Sequence, residues 1–149
     1  MITFKNIDQD NWEESINLRP SEEQSKFIAS NLYSIAEVQF LPGFVAQAIY
    51  KDEQMIGFTM YGLDADDGNY WIYRFMIDEK HQSRGYGKQA LQLLMDELRS
   101  KEDRTEVVCI SYNPENERAK HLYASIGFVE QGVADWGEMM AKYQFEPSA

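Results

Sequence analysis

Cysteine and histidine are nearly missing: 149 residues hold one cysteine, Cys109, and two histidines, His81 and His121. A lone thiol excludes an internal disulfide, and within Val107-Val108-Cys109-Ile110 it reads as a buried, inert side chain. Neither histidine has a cysteine at ligand spacing, so no metal site is expected. No apolar run approaches the roughly 18 residues of a membrane helix. Met1 leads into Ile-Thr-Phe-Lys-Asn rather than a basic stretch followed by an apolar one. A cytoplasmic protein with no membrane partner is the expectation. Positive charge is also scarce, 14 Lys plus Arg against 25 Asp plus Glu, for a formal net charge of −11. Such a chain repels phosphate backbones unless a basic face is segregated, and none is visible, which argues against nucleic acid. A small polycation would be attracted, although acidity also simply maintains solubility.

What is present suits a soluble globular protein: 44% hydrophobic and 26% charged residues, in a length that fits one domain over residues 1–149. There are no repeats, linkers or low-complexity segments. Ile2-Thr3-Phe4-Lys5-Asn6 alternates as a strand, and a short helix is expected around Trp12, Ile16 and Leu18, broken by Pro20. Ser21-Glu22-Glu23-Gln24 has capping-box spacing, and Phe27, Ile28, Asn31, Leu32, Ile35 and Ala36 continue at helical period, with an interruption, toward Pro42-Gly43. Residues 44–50 and 55–63 read as a hairpin around the polar turn 51–54.

The acidic turn Asp64-Ala65-Asp66-Asp67-Gly68-Asn69 precedes a strand over residues 70–77 of high β-propensity. As a calcium loop this turn fails, because Gly68 comes one position early and Phe75 stands where a bidentate Glu belongs. Next comes the stretch around which the chain is organised, Gln82-Ser83-Arg84-Gly85-Tyr86-Gly87-Lys88. Two glycines one residue apart let the backbone approach a ligand, and the helix that follows aims its free N–H groups back into the turn. Arg84 and Lys88 add positive charge, so a diphosphate suits this nest, plain turn geometry being the alternative. Ala90, Leu91, Leu94, Met95 and Leu98 form a helical stripe, and residues 107–111 a buried-type strand, completing a βαβ unit. Asn113-Pro114-Glu115-Asn116 caps a helix carrying Ala119, Leu122, Tyr123 and Ile126 that stops at Gly127, and strands near 128–131 and 138–143 follow.

The order β-β-β-β-α-β-α-β, with Gln82-x-x-Gly85-x-Gly87 after the fourth strand, Asn113-x-x-Asn116, and Tyr123-x-x-x-Gly127-Phe128, resembles the GCN5-related N-acetyltransferase superfamily over essentially the whole chain. Tyr33-Ser34-Ile35-Ala36-Glu37, Pro42-Gly43-Phe44 and the segment from Tyr70 to Asp78 resemble the bacterial spermine/spermidine (diamine) acetyltransferases within it. The resemblance implies an α/β fold with a mixed sheet of about six or seven strands, splayed after the fourth and flanked by about four helices. It further implies acetyl-CoA as co-substrate, no metal, and direct transfer to a primary amine of a small polyamine. A protein, peptide or other small-amine acetyltransferase, or a non-catalytic acyl-CoA-binding regulator, is the alternative. A homodimer is a state to test.

The same resemblance places the backbone of Phe75, Met76 and Ile77 beside the pantetheine arm and the N–H groups of Gln82, Ser83, Arg84, Gly85, Tyr86, Gly87 and Lys88 around the pyrophosphate. Asn113, Asn116 and Ala119 line the far side of the cofactor. Tyr123 becomes the acid that protonates the departing thiolate, a transfer from a phenol near ~10 to a thiol near ~8.5 that positioning must assist. The oxyanion meets a backbone N–H of the fourth strand, that of Met76. Many relatives carry a basic Glu on this strand, but here the position is Tyr73, followed by Arg74. Glu37 is the nominated replacement, an exposed helix-end carboxylate being the other reading. Glu22, Glu23, Asp64, Asp66 and Asp67 supply longer-range attraction for a second ammonium.

Overall fold

The computed structural model describes residues 1–145; residues 146–149, the end of the expected domain span, lie outside them. In chain order the elements are β1 (Ile2–Asn6), α1 (Trp12–Ile16), α2 (Glu22–Ser25), α3 (Asn31–Val38), β2 (Phe44–Lys51), β3 (Gln54–Leu63), β4 (Tyr70–Ile77), α4 (Tyr86–Arg99), β5 (Val107–Tyr112), α5 (Glu117–Ile126), β6 (Val129–Val133) and β7 (Met139–Gln144). The expected interruption falls between α2 and α3. Each starts at a serine cap, with Gln24 N–H donating to Ser21 Oγ and Tyr33 N–H to Ser30 Oγ.

The strands form one seven-stranded sheet in the order β1-β2-β3-β4-β5-β7-β6. Strands β1 to β4 pair antiparallel with their sequence neighbours, whereas β4 and β5 run parallel because α4 carries the chain across. On one face Ala90, Leu91, Leu94 and Leu98 of α4, all fully buried, pack on Ile56, Ile72, Phe75, Ile77, Val108 and Ile110. The other face buries Ala46, Phe58, Met60 and Met76 beneath Ile35 and Val38 of α3. Each fully buried aliphatic side chain contributes about 1.5–3 kcal/mol of transfer free energy. Gly57 permits close contact at the sheet's centre, since a Cβ there would stand 2.4 Å from the Met76 carbonyl oxygen.

Two irregularities in β4 position the site. It pairs with β3 from Tyr70 to Ile77 but with β5 only at Tyr70, Trp71 and Ile72, so beyond Ile72 the two strands part and the β5-facing edge of β4 lies open. The register with β3 also jumps, from Met60↔Arg74 to Tyr61↔Ile72, which leaves Tyr73 as the extra residue of a bulge. Ile72 and Phe75 therefore both join the α4-side core, while Tyr73 and Met76 both pack on the α3 side.

Candidate functional site

A cleft of about 940 Å³ opens where β4 and β5 separate. Phe75, Met76 and Ile77 border it from β4, and Asn116, Ala119, Leu122 and Tyr123 from α5 and its cap. The glycine turn closes one end. Ser83 and Gly85 have left-handed backbones, φ +65° and +81°, on either side of Arg84, and Gly85 is the N-cap of α4. Alternation of this kind points successive N–H groups into one concavity, at the positive end of a helix of 14 residues. Gly87 needs no special φ; a Cβ added there would meet Ile77 Cγ1 at 3.6 Å and Leu122 Cδ2 at 3.9 Å, both cleft residues. The Gln82 side chain donates from Nε2 to the Ile77 carbonyl at 2.9 Å and ties the turn to the end of β4. Gln82, Ser83, Gly85, Gly87 and Lys88 border the cleft, whereas the side chains of Arg84 and Tyr86 do not. Tyr86 packs on the α4-side core, and Arg84 is exposed at the turn.

A further cation, which the sequence reading missed, stands beside the turn. Arg118, two residues after the Asn116 cap, borders the cleft and donates from Nη2 toward Ser83 Oγ at 3.4 Å. Its only local signal was its position in the first turn of α5. Asn116 is buried and caps α5, accepting from Ala119 N–H at 3.1 Å, while Asn113 accepts from Glu115 N–H in the preceding turn and stays outside the cleft. The Asn113 side chain shapes the turn.

Tyr123 borders the cleft with its ring packed between Tyr112, at 5.6 Å, and Phe128, at 5.8 Å. Burial holds its phenol proton well above the usual phenol range, with the neighbouring Tyr112 a smaller cause. The ring is thus a buried aromatic of the α5 face whose phenol stays protonated.

The opposite end is acidic and aromatic. Glu37, Asp64, Asp66, Asp67 and Glu138 border it, with Trp71, Tyr73 and Trp136. Glu22 and Glu23 do not border the cleft. Glu37 Oε1 accepts from Arg74 Nη2 at 2.8 Å in a partly buried ion pair. Asp67 accepts from Trp71 Nε1 at 2.8 Å and Glu138 from Trp136 Nε1 at 2.8 Å. Asp64 Oδ2 accepts from Tyr73 Oη at 2.5 Å, a charge-assisted bond at the short end of its range. Burial first, then that bond and the Asp64 charge, keep the Tyr73 proton well above the phenol range. Trp136 and Glu138 were missed because they belong to the β6–β7 hairpin, far along the chain from β4.

Among the described residues no group of three or more His, Cys, Asp or Glu could hold a metal ion, and no helix is long and apolar enough to cross a membrane. Cys109 is fully buried, and burial pushes its thiol up to about 11, as an inert core residue requires.

Residues 3–128 match the model of the acetyltransferase (GNAT) family. A spermine/spermidine N(1)-acetyltransferase of Bacillus subtilis is 28% identical over 141 residues, covering 91% of this chain and 92% of that protein. The crystal structure of a spermidine N-acetyltransferase from Vibrio cholerae with CoA and spermine has a TM-score of 0.72 at 14% identity, covering 95% of this chain and 92% of its own. An aminoglycoside acetyltransferase in complex with coenzyme A reaches 0.80 at 13% identity, with 97% and 95% covered. By the extent of the family match, and with the fold its structural neighbours share, this chain belongs to the GCN5-related N-acetyltransferase (GNAT) family.

Proposed function

We propose that the chain transfers the acetyl group of acetyl-CoA to a primary amine of a small polyamine by direct attack within a ternary complex. One observation carries this reading: the cleft has ends of opposite charge. Backbone N–H groups, Lys88 and Arg118 gather at the turn, and five carboxylates border the cleft elsewhere. An anionic co-substrate and a polycationic acceptor are thereby sorted to different ends before any specific contact forms. The acyltransferases named above, one acting on spermine and spermidine and one solved with spermine, support the same acceptor class.

The residues fit acetyl-CoA. The nest from Gln82 to Lys88 suits a pyrophosphate, Gly87 borders the cleft without a side chain and so admits close backbone approach, and the open edge of β4 at Phe75, Met76 and Ile77 offers unpaired backbone groups to an amide-bearing arm. When bound, the thioester supplies an activated acyl carbon. Around it a backbone N–H of β4, assigned to Met76, faces developing negative charge on oxygen. Tyr123 holds a proton for the departing sulfur, and Ala119, Leu122 and Met76 keep water away.

Thiol release from acetyl-CoA, measured against spermidine, spermine, putrescine, lysine analogues, an aminoglycoside and basic peptides, tests the reading. Polyamines should give the highest kcat/KM. Preference for a peptide would move the protein to the protein-acetylating branch, and no thiol release with any amine would make it an acyl-CoA-binding regulator.

A further inference from the structure

An acceptor ammonium, with a pKa near ~10.4, must lose a proton before its lone pair can attack. The β4 position that carries Glu in many relatives holds Tyr73 here, and Glu37 is occupied by Arg74. Of the cleft carboxylates, Asp67 and Glu138 each accept from a tryptophan N–H, and Asp66 lies on the exposed part of its turn. Asp64 differs because its Oδ2 is joined to the hydroxyl of Tyr73, a residue that borders the cleft. The bulge explains the arrangement. Without the extra residue the strand's alternation would have carried Phe75 to the α3 side; with it, Tyr73 is aimed beneath Phe44, ring centroids 4.3 Å apart, and toward Asp64.

We infer, resting on the acetyltransferase reading above, that Tyr73 and Asp64 form the proton relay that deprotonates the acceptor amine. The ammonium N–H bond breaks as its proton moves to Tyr73 Oη, and the Tyr73 O–H bond breaks as that proton moves to Asp64 Oδ2. The products are a neutral amine with its lone pair free, a neutral phenol and a neutral carboxylic acid. Net charge is unchanged, since the ammonium and the Asp64 carboxylate cancelled at the start. Tyr73 touches the amine and Asp64 acts through Tyr73. The phenol, held protonated at rest, serves as a conduit and never accumulates as phenolate. Asp64, half-buried on a turn whose next residues are exposed, then returns its proton to water. The charges that act on Tyr73 are Asp64 and Asp66 of the turn and Glu37 of α3, and the cleft is further bordered by Arg74 of β4, Asp67 of the same turn and Glu138 of the turn before β7. The acidic majority among them disfavours a phenolate and favours an ammonium next to Tyr73.

The experiment compares Tyr73→Phe and Asp64→Asn with the wild type on spermidine at saturating acetyl-CoA, as kcat/KM from pH 6.5 to 9.5. Phe keeps the ring contact with Phe44, and Asn keeps an oxygen for the turn. Both variants should retain acetyl-CoA affinity and lose about 10²-fold in kcat/KM at neutral pH. The loss should shrink with rising pH, as the amine arrives already neutral, and shrink also for a fluorinated amine whose ammonium is more acidic. A loss independent of pH and of amine acidity would mean that the pair only shapes the wall, and no loss would mean that it is idle; either overturns the relay. Wild-type enzyme that acetylates no amine would instead sink the acetyltransferase reading itself, so the two failures are distinct.

Discussion

Glu37 of α3 and Arg74 of β4 meet at the acidic wall of the cleft, Oε1 to Nη2 at 2.8 Å, and Arg74 Nε is buried without a hydrogen-bond partner among the described residues. The pair fixes α3 against the bulged strand and neutralises a cation that would otherwise face the acceptor. Glu37→Gln should therefore lower stability by about 1 kcal/mol, or about 2–4 °C in Tm, and raise KM for polyamines more than for monoamines. Adding Arg74→Met should recover much of both effects. Thermal melts and acceptor kinetics on the single and double variants check this, and a double variant worse than Glu37→Gln would contradict it.

The two glycines of the turn have different jobs. Gly85 sits at φ +81°, so Gly85→Ala should cost about 1–2 kcal/mol of stability. Gly87→Ala finds ordinary contact distances within the protein, 3.6 Å to Ile77 and 3.9 Å to Leu122. It should fold normally yet bind acetyl-CoA about tenfold more weakly, roughly 1.4 kcal/mol. Calorimetry that finds wild-type affinity in Gly87→Ala would place the co-substrate elsewhere.

Much of this frame was legible in the sequence, for identifiable reasons. The α4 stripe from Ala90 to Leu98 and the Gly85-x-Gly87 turn are local patterns, and so are the Asn116 cap and the Gly127 stop of α5. The bulge at Tyr73 was not legible, because Tyr and Arg both suit a strand and only the pairing with β3 reveals the extra residue. Nor was the Glu37–Arg74 pair, whose partners lie 37 residues apart and on different elements. Glu37 was nominated as base without sight of that pair. Its carboxylate does border the cleft, but with a guanidinium already bound to it.

Tyr123→Phe removes a single oxygen from a packed ring. Acetyl-CoA affinity and fold should stay near wild type, while kcat falls about 10²-fold when chemistry limits the rate. Single-turnover kinetics isolates that step, and an unchanged rate would return Tyr123 to a purely structural role between Tyr112 and Phe128.

Buried phenols also set the alkaline limit of stability. Burial pushes Tyr61 and Tyr112 up to about 12 and holds Tyr70, Tyr73 and Tyr123 higher still. The folded state thus keeps protons that the unfolded chain releases near ~10, so this contribution is complete below that pH and is lost as pH rises through the folded values. Denaturant midpoints should fall steeply above pH 10, with phenolate absorbance appearing alongside unfolding. Full phenolate absorbance near pH 10 in the folded protein would contradict the burial.

The central claim is that one cleft sorts an anionic donor from a polycationic acceptor. Its most direct test is kcat/KM for spermidine and for a monoamine of equal length, measured at saturating acetyl-CoA between about 0.05 and 0.5 M salt. Over this range the screening length drops from beyond 10 Å toward a few Å. Spermidine should be strongly preferred at low salt and lose that preference as salt rises, with the monoamine changing far less. Equal kcat/KM values with parallel salt dependence would contradict it.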